Sequence, residues 1–157
     1  MKKQLFALLL GSFFCVNGYS QVFSGGDGST DSPYLIKKVA DLTELATVVN
    51  GGNTLSGKLL RLENDITYGS SDTYTTIGFT GSGIAKKFAG TFDGNGHSIN
   101  GLKLNGAKYV SMFASLDAAG IIKNLTLNAP TLTCTDSYGA FIAAQAAGSV
   151  ENCKVEN

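Results

Sequence analysis

The sequence predicts an all-β domain wound as a parallel β-helix, with one short helix at its N-terminal end. Three observations carry that prediction. A six-residue pattern of apolar, polar, Asn or Gly, apolar, polar, apolar recurs as Ile99–Leu104, Ile122–Leu127 and Val150–Val155, at offsets of 23 and 28 residues. The second offset also relates Phe113 to Phe141 and Ala119-Gly120 to Ala147-Gly148, and intervals of ~20–50 residues mark solenoids and related arrays. The composition is poor in charge (15%), with 20 Gly, 2 Pro and no Trp in 157 residues, which suits a β-rich extracellular protein better than a cytosolic enzyme. An antiparallel sandwich, the competing fold, does not call for similar strands at such intervals.

The first twenty residues read as a secretory signal peptide. Lys2 and Lys3 are basic, Leu5–Val16 is apolar except for Gly11 and Ser12, and Gly18-Tyr19-Ser20 places small residues at −3 and −1 before Gln21. The apolar run is too short to span ~30 Å of hydrocarbon at ~1.5 Å per residue. A lipoprotein signal using Cys15 is disfavoured by Phe14, which stands where a small residue is needed. Residues 21–157 then form the domain, with ten basic and twelve acidic residues once Lys2 and Lys3 are removed. Nothing in that balance points to nucleic acid or an anionic membrane. Cys134 and Cys153 remain, an even pair in an exported protein. Their positions are better explained as small buried apolar residues, Cys153 taking the place of Leu125.

Gln21–Ser32 is polar and Gly-rich, hence a loop, and Tyr34-Leu35-Ile36 after Pro33 is a first edge strand. Leu42, Leu45, Ala46 and Val49 recur at helical spacing, so residues 41–50 form an amphipathic helix. Asp41 is its expected N-cap, with Glu44 completing a capping box, and Asn50-Gly51-Gly52 is its stop. Two to three turns of helix are marginal alone, and covering the open end of a solenoid is a suitable task. Lys58–Ile66 is a strand with an Asn-Asp turn, and Tyr68–Ser82 is polar apart from Thr76-Ile77-Gly78. The chain is organised around Phe88–Leu104, where Asp93-Gly94-Asn95-Gly96 is a tight turn feeding a short strand from Ile99 to Leu104.

Stacking the repeats gives three inner columns: Ile99, Ile122 and Val150; Leu102, Leu125 and Cys153; Leu104, Leu127 and Val155. Asn124 over Asn152 forms an amide ladder, which starts late because Gly101 has no side chain. The chain stops directly after a repeat strand. The reading therefore expects a fragment, a truncated reading frame, or end-to-end self-association through the uncovered last coil.

The run Gly90–Leu102 resembles the signature of GLUG-motif β-helix proteins, secreted or surface proteins of Bacteroidetes-type bacteria. The resemblance extends over Ser32–Ile36, Asp41-Leu42, Asn64-Asp65-Ile66, Thr76-Ile77-Gly78 and Ile122–Leu125, nearly all of the mature chain. It departs where the family has Gly-Leu-Phe-Gly and this chain has Ser111-Met112-Phe113-Ala114 and Gly139-Ala140-Phe141-Ile142. The resemblance implies a right-handed, pectate-lyase-like solenoid and surface roles such as adhesion. It implies no catalytic residues.

No catalytic, cofactor-binding or metal-binding constellation is legible. Glycan-cleaving β-helices need clustered carboxylates, with or without Ca²⁺, or a carboxylate pair. The twelve acids here are dispersed, with one Arg (Arg61) and one His (His97). Asp93–His97 lacks the third acid and distal Glu of a Ca²⁺ loop and reads as a turn. Asn124-Leu125-Thr126 fits a glycosylation pattern but reads as a ladder position. The expected function is therefore a secreted or cell-surface scaffold, adhesin-like, holding glycan or protein partners on its side and not spanning a membrane after signal cleavage. The alternatives are a glycan-active enzyme fragment and a stalk segment of a longer protein. An outward row of Tyr74, Tyr109 and Tyr138 would favour the first.

Overall fold

The computed structural model describes residues 23–79 and 86–157. The leader at 1–20, with Cys15 and the Ser20-Gln21 cleavage point, lies outside the described residues, as does the end of the Tyr68–Ser82 segment. The chain is a parallel β-solenoid of roughly four turns. Strand β1 (Tyr34–Ile36) is followed by helix α1 (Val39–Asn50), then β2 (Leu59–Leu62) and β3 (Ile66–Thr67). The next coil holds β4 (Thr91–Asp93), β5 (Ser98–Asn100), β6 (Lys103–Val110) and β7 (Phe113–Leu116). The coil after it repeats the set as β8 (Ile121–Lys123), β9 (Thr126–Asn128), β10 (Thr131–Gly139) and β11 (Ala143–Ala146). Strands β12 (Ser149–Glu151) and β13 (Lys154–Glu156) begin another coil. Sheets form along the axis in the orders β1-β2-β4-β8-β12, β13-β9-β5-β3, β10-β6 and β11-β7, with every pairing parallel.

Register fixes which apolar residues meet. Leu60, Phe92, Ile122 and Val150 form one inner column, and Ile66, Ile99, Leu127 and Val155 another. Phe92, Ile99, Ile122 and Leu127 are wholly buried, each worth roughly 1.5–3 kcal/mol of transfer free energy. The 28-residue equivalences of Ile122 with Val150 and Leu127 with Val155 therefore hold. The 23-residue equivalence does not: Ile99 pairs with Leu127, and Leu104 with Leu132. Phe113 pairs with Ala143 rather than Phe141.

The cause is the corners. Each coil bends more than once, and several of the bends turn on a left-handed residue. Asn95, Asn124 and Asn152 (φ 53°, 54° and 48°) turn the chain from the first sheet to the second, whereas Gly101 and Ala129 (φ 67° and 47°) turn it into β6 and β10. Ile99–Leu104 and Ile122–Leu127 are thus two different corners with the same local chemistry. For the same reason Ile99–Leu104 is two strands with a bend between them, not one. At the first corner Gly94 is required by contact, since a Cβ there would run into the Asn124 carbonyl and the Leu125 backbone of the coil above.

The amide ladder is present and one rung longer than expected. Asn152 Nδ2 donates to Asn124 Oδ1 at 2.9 Å, and Asn124 Nδ2 donates to Asp93 Oδ1 at 3.0 Å. Gly101 lies at the other corner and does not bear on it. Beside the ladder, Arg61, Asp93, Lys123 and Glu151 occupy matched outward positions in successive strands. This is an alternating charge row of the kind that favours one register over its neighbours.

Helix α1 starts two residues before the expected position. Asp41 is its third residue, not its N-cap, and is 3% exposed. Its Oδ2 accepts from the N–H groups of Lys37 (2.8 Å) and Lys38 (3.2 Å) and from Ser24 Oγ (2.7 Å). One carboxylate thus satisfies the free donors that Glu44 was expected to help cap. Gly51 caps the helix in right-handed conformation, and Gly52 (φ 103°) supplies the left-handed turn. Leu42, Leu45, Ala46 and Val49 enter the core. The helix takes the part of the first coil from which the other three sheets receive no strand. Asn50 then ties it to the second coil, its amide donating to Thr76 O and accepting from the N–H groups of Gly78 and Phe79.

Leu125 is wholly buried and Thr126, next to it, faces outward between Ser98 and Lys154. Leu125→Asp is expected to lower unfolding stability by several kcal/mol, and Thr126→Asp by less than about 0.5 kcal/mol, in urea titrations. Equal losses would contradict the strand phase.

Candidate functional site

The most distinctive feature of the lateral surface is built on β6 and β10. Their register runs from Thr131 on Lys103 to Cys134 on Gly106, slips at a bulge between Cys134 and Ser137, and resumes with Ser137 on Lys108 and Gly139 on Val110. The slip is held by Cys134 Sγ, which donates to Ala107 O at 3.2 Å. Past it, Tyr109 and Tyr138 fall side by side, both left-handed (φ 53° and 65°). Their rings stack at 4.8 Å with planes 8° apart. Phe79 also lies against Tyr109, with centroids 5.9 Å apart and planes tilted by 40°. Tyr138 is 53% exposed. At the same bulge Lys108 and Asp136 form an ion pair at 3.2 Å, each side chain 52% exposed.

A left-handed backbone is an outlier for a bulky side chain and costs about 1–2 kcal/mol per residue. Elsewhere the chain places Gly, Ala or Asn at such positions, apart from the buried Leu55 (φ 55°). Holding two tyrosines there, in consecutive coils and on the surface, is the kind of local strain that gathers at binding sites.

Of the three tyrosines that were candidates for an outward row, the structure brings Tyr109 and Tyr138 together and removes Tyr74. The Tyr74 hydroxyl donates to Met112 O at 2.8 Å, and its ring packs edge-on against Tyr68 at 5.9 Å. Burial drives the Tyr74 phenol well above its ordinary range. Phe79 takes the third place. It precedes Tyr109 by close to one coil, as Tyr109 precedes Tyr138, so the coil interval applied to aromatic positions is the signal that finds it.

The other residues singled out by sequence are held in structural contacts. Arg61 Nε pairs with Glu63 Oε1 at 2.8 Å, and His97 Nδ1 lies 3.4 Å from Asp65 Oδ1. Asn124 is engaged on both sides in the corner ladder. Cys134 and Cys153 are both free thiols and half-buried rather than buried, and burial pushes the Cys153 thiol up. Among the described residues, no three His, Cys, Asp or Glu side chains come together in a way that could hold a metal ion. No helix among them is long and apolar enough to cross a membrane.

Asp93 receives the Asn124 amide, the Asn95 N–H at 2.9 Å and the Lys123 ammonium at 3.5 Å. Burial pushes its carboxyl up, but these groups outweigh burial and hold it below its ordinary 3.8. A carboxyl lowered on folding stabilises the fold above its unfolded value, and that contribution is lost as pH falls through the lowered folded value. Urea midpoints measured from about pH 6 to about pH 2.5 should therefore fall less steeply for Asp93→Asn than for the parent below about pH 4. Identical acid limbs would contradict this. At Tyr138, Asn tolerates the left-handed backbone at lower cost than Ala. Tyr138→Asn should be about 1 kcal/mol more stable than Tyr138→Ala; equal stabilities would show that the backbone there carries no strain.

No protein-family model matches the chain. Halomucin of Haloquadratum walsbyi is 31% identical over 138 residues, covering 81% of this chain and 1% of that protein. A protein of Evansella cellulosilytica, provisionally named a Gly-rich membrane protein, is 28% identical over 146 residues, covering 87% of this chain and 16% of that one. The chain thus spans only a small part of the curated relatives it matches. A crystal structure of a protein of Bacteroides ovatus, provisionally named an immunoglobulin A1 protease, superposes with a TM-score of 0.66 at 20% identity over 85% of this chain and 40% of that one. That likeness establishes the β-solenoid as the fold.

Proposed function

We propose that the chain is a solenoid segment of an exported surface protein, and that it binds glycan or protein partners on its side without transforming them. The observation that carries this reading is the stack of Tyr109 and Tyr138, held at a cost in backbone strain on the side of the solenoid. The names of two relatives, halomucin and a Gly-rich membrane protein, support a place at the cell surface. The protease name of the solved neighbour comes with likeness of fold alone, and a fold of this kind hosts many functions. The residues best suited to proton transfer are occupied, His97 with Asp65 and Arg61 with Glu63. A rigid lateral face suits weak contacts that gain strength from repetition.

The full chain, expressed with its leader, should appear outside the cytoplasm with Gln21 as its first residue by mass spectrometry. It should bind arrayed polysaccharides or surface proteins, with affinity reduced about tenfold or more by Tyr138→Ala, and should release no reducing ends or unsaturated uronides. A lipid-modified Cys15 would contradict the export route. Product release abolished by changing Asp93 or His97 would contradict binding without chemistry.

A further inference from the structure

We infer that Asn105 is a self-modifying site, its side-chain amide converted in the folded chain to aspartate and isoaspartate by attack from the Gly106 backbone nitrogen. The inference does not depend on the binding reading above. Asn followed by Gly is the pair best suited to this reaction, because Gly has no Cβ to obstruct the approach of its nitrogen to the preceding side chain. Residues 23–157 contain four such pairs: Asn50-Gly51, Asn95-Gly96, Asn100-Gly101 and Asn105-Gly106.

The fold holds three of them at both reacting groups. The Asn50 amide donates to Thr76 O and accepts from the N–H groups of Gly78 and Phe79, while Gly51 N–H donates to Thr47 O at 2.9 Å. Asn95 Nδ2 donates to Leu62 O at 3.2 Å, and Gly96 N–H to Asn124 O at 3.1 Å. Asn100 Nδ2 donates to Thr67 Oγ1 and its Oδ1 accepts from Ser98 Oγ, both at 3.1 Å, while Gly101 N–H donates to Asn128 O at 2.9 Å. Reaction at any of these pairs has to break those bonds first.

Asn105 is different. It is exposed on the side of β6, and it is covered from the following coil by its partner Thr133 in β10. Its side chain makes no hydrogen bond among the described residues. Gly106 pairs with Cys134, the last pair before the register slips, and β10 is the one sheet partner of β6 among the described residues. A ladder interrupted at a bulge and unsupported on its other edge opens there without wider unfolding.

The chemistry needs only water. The Gly106 nitrogen gives its proton to solvent and bonds to Asn105 Cγ. The bond from Cγ to the amide nitrogen breaks, and that nitrogen takes up a proton and leaves as ammonia. Water then opens the succinimide. Breaking the new bond to Cγ gives aspartate, and breaking the bond to the Asn105 main-chain carbonyl carbon gives isoaspartate. Either product places a carboxylate on the outward face of β6, two residues from Lys103 and opposite Thr133. Isoaspartate also lengthens the main chain of β6 ahead of Tyr109, so it disturbs the bulge on which the aromatic stack depends.

The test incubates the full chain, folded and in urea, in one mildly alkaline buffer and follows each Asn-Gly peptide by mass spectrometry, with isoaspartate identified by fragmentation. In the folded chain Asn105 should convert about tenfold or more faster than each of the other three. In urea all four should convert within about threefold of one another. Asn105→Gln should remove the folded-state product, with folding confirmed by urea titration. Cys134→Ala, which takes the thiol away from Ala107 O at the slip, should accelerate conversion at Asn105 alone. The converted chain, separated by anion exchange, should show shifted Tyr109 ring signals and unmoved Thr126 amide signals by NMR. Conversion at Asn50, Asn95 or Asn100 ahead of Asn105 overturns the inference, as does an Asn105 that converts in urea but not in the folded chain. No acceleration in Cys134→Ala, or an equal rise at all four sites, overturns the bulge as the point of opening, and unmoved Tyr109 signals overturn the consequence for the stack.

Discussion

Phe92 lies between Leu60 of the coil before it and Ile122 of the coil after it, and its ring packs edge-on against Phe113 across its own coil. Ile99 lies likewise between Ile66 and Leu127. A coil of this solenoid is too thin to bury an apolar side chain by itself. It becomes stable only through its neighbours, so stability accumulates along the axis. Parallel main-chain pairing supplies the spacing of about 4.8 Å, and the inward columns supply the free energy. The outward features are consequences of that spacing. The Asp93–Asn124–Asn152 ladder works because one coil step brings side-chain amides into hydrogen-bond range. The 4.8 Å stack of Tyr109 and Tyr138 is the same step seen in aromatic rings.

The architecture was legible because a solenoid writes its core into the sequence at intervals. The strand at Tyr34–Ile36, the helix face from Leu42 to Val49 and the 28-residue relation of the last two coils could all be read from apolar positions. The register of the preceding coil could not. Two of its corners, at Asn95 and Gly101, turn on a left-handed residue that a short apolar strand follows, and sequence alone does not say which corner is which. Coil length also varies, since Ile121 follows Thr91 by 30 residues while Ser149 follows Ile121 by 28. A fixed interval therefore misplaces Phe113 against Phe141. The helix start was missed because Asp41 is favourable both as an N-cap and as a third residue reaching back, and only the backbone distinguishes the two.

The lateral site was half legible. Two of its aromatics were expected to point outward, and they do. Tyr74 was offered with them but is half-buried against the core, its hydroxyl satisfied by a carbonyl that no local pattern reveals. Phe79 was not expected, because the segment before it is polar and carries no strand. Left-handed tyrosines are also invisible to composition. Propensity argues against them, and the bulge that produces them depends on pairing between strands 28–29 residues apart. Where local preference and observed backbone disagree most, a functional constraint is the expected reason.

The claim on which the rest depends is the coil register, and paired cysteines test it directly. With Cys134 and Cys153 replaced by Ala, Ser98→Cys combined with Thr126→Cys places thiols on residues that face each other in β5 and β9, at a Cα separation compatible with a disulfide. Mild oxidation of the folded chain is predicted to link that pair quickly and to leave Ser98→Cys with Ile121→Cys, the pair that a 23-residue step would align, unlinked. The opposite pattern would contradict the register, and with it the stack of Tyr109 on Tyr138.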